Sequence, residues 1–379
     1  MKNRLFIIFF TLAFFSAVGL STAADGASNA ELEDRIKKLE QDVKDATATP
    51  IGKISQSISL SGSIEVDYTY ADDSDISNRT KNDATSDLDT GTVQLGIDAR
   101  LHKYVTAVAV LKGEALDSNT NVFWDEAYFT ISGQEISTYL IAGKRTQPFG
   151  VFNSVFINDP ITQELYEIND TGVTIGYATD TLMGIDLSFT VYKGETLITH
   201  VNDAGLGWAR NNTPGYAVTN DMNSYIISGS ISPVEALTLS GFFNSEPGDS
   251  DRNTSFGMAV HFEMAGFLAD AEYISALDRE RHIADNLEYK ENAWAITLGY
   301  QISDPLLIAV RYEAFDADKK ADGNLDKRYG ITGTYTLFKN DSFACNLMAE
   351  FRKSEYETVS PSSVDDELNE FFTRLAVEF

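Results

Sequence analysis

The chain of 379 residues has a single cysteine, Cys345, so no internal disulfide can brace it; the residue sits among alternating apolar neighbours and reads as a small hydrophobe. Histidine is nearly as scarce. His102, His200, His261 and His282 lie far apart with no ligand-like spacing, which argues against a built-in zinc or iron site. The acidic loop run Asp316, Asp318, Asp322, Asn324 and Asp326 misses the EF-hand order as well, and no metal or other cofactor is expected. Basic residues are outnumbered, 29 Lys and Arg against 57 Asp and Glu, for a formal charge of −28. Such a surface repels phosphate, so nucleic acid is not an expected partner. Long apolar runs are missing too: after Leu20 no stretch approaches the roughly 18 residues that a spanning helix needs. Nor is there a catalytic constellation. Ser255 shares the inward face of one strand with His261, but at strand rise the two stand about 20 Å apart, so they form no dyad.

What the chain has in quantity is alternation. Between Ser57 and Tyr70, Ile58, Leu60, Ile64, Val66, Tyr68 and Tyr70 occupy even positions, while Ser57, Ser59, Ser61, Ser63, Glu65, Asp67 and Thr69 occupy odd ones. In a strand this puts apolar groups on one face and polar groups on the other. The pattern recurs to the last residue, as in Val93, Leu95, Ile97, Ala99 and Leu101, or Trp294, Ile296, Leu298 and Tyr300. So many apolar faces need a common place to go, and a lipid bilayer supplies one. The count is about sixteen strands, an even number as bacterial barrels require. Connections alternate between short ones, such as His102-Lys103 and Ala265-Gly266, and long polar ones, such as 71–91, 147–169 and 193–223. That is the arrangement of short periplasmic turns and long external loops. The expected fold is all-β: a transmembrane antiparallel β-barrel of about sixteen strands with a short N-terminal helix. Sixteen strands and their links use up the chain from Ile51 onward, leaving nothing for the plug of a large energy-coupled receptor.

The ends carry their own signals. Lys2 and Arg4 precede an apolar run, and Ser21-Thr22-Ala23 follows it, which predicts a secretory signal peptide over 1–23 and export to the bacterial outer membrane. Over 24–50 a capping box at Ser28 and Glu31 leads into Leu32, Ile36, Leu39 and Val43, a coiled-coil-like stripe before a linker ending at Pro50. Two heptads are marginal alone, so the stripe fits a solvated spacer as well as a small bundle in a homotrimer. The barrel is expected over 51–379. Its final strand ends FFTRLAVEF, and the terminal Phe379 resembles the signal read by the barrel-assembly machinery.

The segments DEAYFTI (125–131), YLIAGKRTQPFG (139–150), INDPITQELYEINDTGVTIGY (157–177) and FLADAEYISALD (267–278) together resemble the LbtU-type siderophore porin family across essentially the whole barrel. The resemblance implies an outer-membrane channel for iron–siderophore complexes. The PFG turn also resembles phosphate- and polyanion-selective porins, so a general or anion-selective diffusion porin for small hydrophilic solutes is the alternative, and a surface enzyme a remote one. In porins the connection after the fifth strand folds inward. Here that stretch carries Asp159, Glu164, Glu167 and Asp170, with Lys144 and Arg145 just before it. With Arg100, Arg311, Arg352 and Arg374 on inward strand positions, carboxylates and guanidinium groups are expected to face one another across a constriction.

Overall fold

Alternation of this kind leaves both edges of a sheet unsatisfied, and in hydrocarbon each unpaired backbone group costs several kcal/mol. The chain resolves this by closing the sheet on itself. In a computed structural model the described residues are 37, 57–72, 84–117, 121–133, 135–180, 183–203, 221–248, 251–282, 284–320, 324–357 and 367–379. The expected signal peptide and linker lie outside them, as does the N-terminal helix apart from Lys37.

Sixteen staves form the barrel. They are β1 (Ile58–Ala71), β2 in two pieces (Thr85–Asp89 and Thr92–His102), β3 (Val105–Glu114), β4 (Val122–Gly133), β5 (Ile136–Thr146), β6 (Asn169–Thr179), β7 (Ile185–Tyr192) and β8 (Ser224–Val234). The second half comprises β9 (Leu237–Glu246), β10 (Asn253–Met264), β11 (Phe267–Asp278), β12 (Glu291–Ser303), β13 (Leu306–Ala317), β14 (Leu325–Asn340), β15 (Phe343–Tyr356) and β16 (Glu367–Glu378). Each pairs antiparallel with the next, and β16 returns to β1 with Ser63 opposite Glu378 and Ala71 opposite Glu370. The seam ends in a reciprocal pair in which Gly62 N–H donates to the Phe379 carbonyl at 2.9 Å and Phe379 N–H to that of Gly62 at 3.0 Å. Both pieces of β2 pair with β1, one above the other, and so make a single stave. The piece Thr85–Asp89 falls in what the sequence presents as a polar link. Its backbone extends the ladder beyond the apolar band, where side-chain polarity carries no penalty.

The register follows the sequence pattern. Leu60 and Ile64 on β1 are 62% and 48% exposed on the outer face, while Glu65 and Asp67 point inward to Arg374 of β16. Phe189, Tyr225 and Phe243 stand side by side on the outer face, and Trp294, Tyr312 and Tyr329 continue the ribbon with ring centroids 5.0 and 5.1 Å apart. A girdle of aromatic rings, with the polar tips of Tyr and Trp among them, is what a membrane interface selects.

The interior departs from a uniformly wet lumen. Two long connections carry short helices, α1 (Ile161–Tyr166) and α2 (Thr196–Asp203). Phe149, Leu165, Tyr166 and Ile168 from the first, with Leu197, Ile198 and Val201 from the second, form one buried cluster with wall residues Ile226, Phe242, Ile274 and Phe315. Both connections therefore turn into the barrel. They bury apolar surface against the inner wall of β8 to β13, at about 25 cal/mol per Å² removed from water.

Candidate pore constriction

The inward turn begins at the PFG segment. Phe149 is fully buried, edge-on to Phe242 with centroids 5.6 Å apart, which anchors the start of the loop to β9. Gly150 follows with φ +109, a conformation that L side chains rarely adopt, and a Cβ there would lie 2.1 Å from the Phe152 ring. The chain can thus leave the wall and enter the lumen at once.

Once inside, the loop's backbone N–H groups have lost bulk water and need acceptors. Three glutamates of the far wall supply them. Glu272 on β11 accepts from Val151 N–H at 2.7 Å and from the Thr162 hydroxyl at 2.7 Å. Glu313 on β13 accepts from Ile161 N–H at 2.6 Å. Glu350 on β15 accepts from Ile157 N–H at 2.7 Å, Asn158 N–H at 3.1 Å and the Asn158 side-chain amide at 3.1 Å. Burying a carboxylate is costly unless it is paired and hydrogen-bonded, so the wall and the loop each satisfy the other. Arginines complete the clasp. Arg311 donates to the carbonyls of Asn158 (2.9 Å) and Asp159 (3.2 Å) and sits over the Phe156 ring. Arg328 forks onto Glu164 at 2.8 and 3.3 Å. The loop that leaves β5 is therefore fastened to β11 through β15, having crossed the lumen.

The residues singled out in the sequence fall into several settings. Asp159 stands exposed on the loop inside the narrowed lumen; partial desolvation there, reinforced by the charges of Glu167 and Glu164 and opposed by those of Lys112 and Arg311, raises its carboxyl above the usual carboxylate range. Glu164 is bound to Arg328 and lies 4.0 Å from Arg352. Glu167 accepts from Thr146 at 2.8 Å. Asp170 is on β6, where it accepts from Thr196 at 2.7 Å. Arg374 bridges the barrel seam, with two bonds to Asp67 at 2.8 and 2.7 Å and an ion pair to Glu65 at 3.0 Å. Arg352 pairs with Glu370 at 2.8 Å. Arg145 is inward, donates to the Thr146 carbonyl and lies over Tyr128. Arg100 is inward near the turn end of β2.

Two expectations need correction. Lys144 is not in the lumen: it pairs with Ala127 and Thr171 on the outward face and donates to the Trp124 carbonyl at 2.8 Å. Its neighbour Arg145 takes the inward position because strand side chains alternate. The second correction concerns the opposed charges. Glu164 does not face guanidinium groups across open lumen but is in contact with Arg328. Around Asp159 the cations on the other wall are Lys112 of β3, itself paired with Glu114 at 2.6 Å, and Arg374 of β16, paired with Glu65 and Asp67. Glu272, Glu313, Glu350, Arg328 and Lys112 escape sequence reasoning because a lone charge at an inward position resembles any polar lumen residue. One signal existed. Ile226, Phe242, Ile274 and Phe315 occupy inward positions, and inward apolar residues on a wet wall mean that something covers them.

A closed membrane-type barrel with a polar lumen narrowed by its own loop defines a channel protein. The chain belongs to the Gram-negative porin family, whose model matches residues 15–349, and this places it in the bacterial outer membrane. Among solved structures it is similar to an anion-selective porin from Comamonas acidovorans (TM-score 0.59, 12% identity, covering 85% of this chain and 99% of that one). It is also similar to OmpF of Salmonella typhi in complex with daunomycin (TM-score 0.59, 11% identity, 85% and 97%). A third is the outer membrane channel DcaP of Acinetobacter baumannii (TM-score 0.56, 14% identity, 85% and 97%). At such identities the likeness is one of fold. No curated protein matches the chain in sequence.

Proposed function

We propose that the protein is a passive, plug-free channel whose inward loop sorts hydrophilic solutes, and that iron–siderophore complexes are among those it carries. The observation that carries the reading is the fastening of the loop Gln147–Ile168 to the far wall. The four LbtU-like segments support the cargo, because all of them belong to this one assembly. Segment 125–131 is on β4, where Asp125 accepts from Asn169 at 3.1 Å. Segments 139–150 and 157–177 are β5, the loop and β6. Segment 267–278 is β11, which holds the loop through Asp270 and Glu272. These four segments, drawn from a resemblance that runs across essentially the whole barrel, thus meet at the fastened loop.

A carrier site in a channel must attract its solute yet release it. Asp159 on the loop with Lys112 and Arg374 on the wall gives a ferric complex both signs of charge to lean on. Single-channel recording with ferric siderophores on the loop side tests this. Saturable, complex-dependent blocking that weakens in Lys112→Ala or Arg374→Ala is expected. Ohmic current with permeation graded by size alone would replace the cargo with small hydrophilic solutes in general.

Assembly as a homotrimer belongs to the same proposal. The outward positions of β3 include Ala107, Ala109 and Gly113, a small-residue surface where a neighbouring barrel could approach closely. Light scattering of folded, detergent-solubilised protein decides it, a monomer mass counting against the trimer. Recognition of Phe379 by the barrel-assembly machinery is proposed too, and deletion of that residue should slow assembly in cells.

A further inference from the structure

On the turn side of the loop the lumen has a second hollow that the constriction does not use. It exists because the inward positions there are small. Ala178 on β6, Ser188 on β7, Ser228 and Ser230 on β8 and Ser240 on β9 stand on neighbouring staves in register. They leave a recess of about 520 Å³, roofed by Pro148, Gly150 and Val151 of the loop entry. That volume is in the range of small-molecule sites, about 300–1,000 Å³.

Its chemistry differs from the rest of the lumen. Eight of the lining residues bear a hydroxyl, and the charged ones are a single cation, Arg145, and a single anion, Asp186. Some of these groups are tied together: Tyr139 donates to Asp186 at 2.8 Å, and Ser188 meets Ser228 at 2.7 Å. The hydroxyls of Thr130, Ser132, Ser230 and Ser240 have no protein partner among the described residues. Arg145 likewise has no carboxylate within ion-pair distance there. Phe242 and Ile141 add apolar surface at the wall.

We propose that this recess is a binding station for an uncharged polyhydroxylated solute, of the size of a mono- or disaccharide. Each hydroxyl of such a solute both donates and accepts, as the free serine and threonine hydroxyls do. Vicinal hydroxyls fit the fork of a guanidinium or the two oxygens of a carboxylate. The C–H face of a sugar ring lies against the apolar wall. Because Arg145 and Asp186 cancel, the recess has no net charge with which to favour an ion. The station is separate from the constriction, so the proposal is independent of the iron-complex reading.

The test uses the purified full-length protein in planar bilayers, with maltose added on the turn side. Brief current interruptions whose frequency saturates with maltose concentration are expected. Ser230→Leu fills the recess and should abolish them. The gentler pair Asp186→Asn with Ser230→Ala should raise the half-saturating concentration about tenfold, the loss of one or two good hydrogen bonds. Lys112→Ala, at the constriction, should leave the maltose response unchanged. Current that falls only with the conductivity of the solution overturns the proposal, as do interruptions that persist equally in both recess variants. Stronger blocking by sodium gluconate than by maltose at equal concentration would show that the station reads charge, and would overturn it too.

Discussion

Replacing Glu350 by alanine removes the acceptor for three donors of the loop, Ile157 N–H, Asn158 N–H and the Asn158 side-chain amide, at 2.7 to 3.1 Å. Glu350 is 1% exposed, so no bulk water is at hand to replace it. Hydrogen bonds to a charged group contribute about 1.5–3 kcal/mol each when only one is lost. They do not add fully here, because one carboxylate's desolvation is shared among the three and because Glu272, Glu313 and Arg311 still hold the loop. A net loss of about 2–4 kcal/mol in the docking of this segment is the reasonable magnitude. That raises the population of the undocked loop by about 30-fold to 1,000-fold. The barrel itself is held by its backbone ladder, so the variant should keep its folded electrophoretic mobility. Its single-channel current should become noisier and larger, with excursions toward an unrestricted lumen, and Glu350→Gln should lie between the two. A variant with quiet, wild-type current would refute the idea that wall carboxylates hold the loop in place.

Other outcomes follow from the same geometry. Arg374→Ala leaves Glu65 and Asp67 without their common partner across the seam; because all three are partly solvated, the expected cost is about 1–2 kcal/mol, read as earlier thermal unfolding in detergent. The same variant should move the reversal potential toward cation preference. Asp159 has a carboxyl raised above its ordinary value of 3.8 by partial desolvation in the narrowed lumen and by the charges of Glu167 and Glu164. Its charged form therefore opposes the folded arrangement at neutral pH, and that opposition disappears as pH falls through the raised value. Asp159→Asn should leave stability at pH 7 unchanged or slightly higher, and should flatten the acid end of the reversal-potential curve. Cysteines at Leu60 and Ile64 should react with bilayer-restricted reagents, and cysteines at Ser61 and Ser63 with water-soluble ones. The opposite labelling would overturn the register of β1.

The barrel was legible because its cause is local. A period of two needs only neighbouring residues, and Leu60, Ile64, Val66 and Tyr70 declare the lipid face without reference to the rest of the chain. The alternation of short and long links was likewise written in the sequence, and so was the inward turn after β5, through a known resemblance. The constriction was harder to see because its bonds join residues more than a hundred positions apart, as in Ile157 with Glu350. Nothing near Glu350 distinguishes it from Glu370, yet one holds the loop and the other pairs with Arg352. The Lys144 error has a simpler cause. The alternation that places Arg145 inside requires Lys144 outside, and a charged residue near the rim of the outer face is tolerated by turning its amine toward a backbone carbonyl.

Conduction through this barrel turns on one feature, the narrowing of the lumen by the loop that crosses it from Gln147 to Ile168. Its most direct test is single-channel current through Asp159→Cys while a water-soluble, positively charged thiol reagent is added. The current should drop stepwise and permanently as the bulky group is attached beside the path. Complete reaction, verified by mass spectrometry, with current unchanged would contradict it.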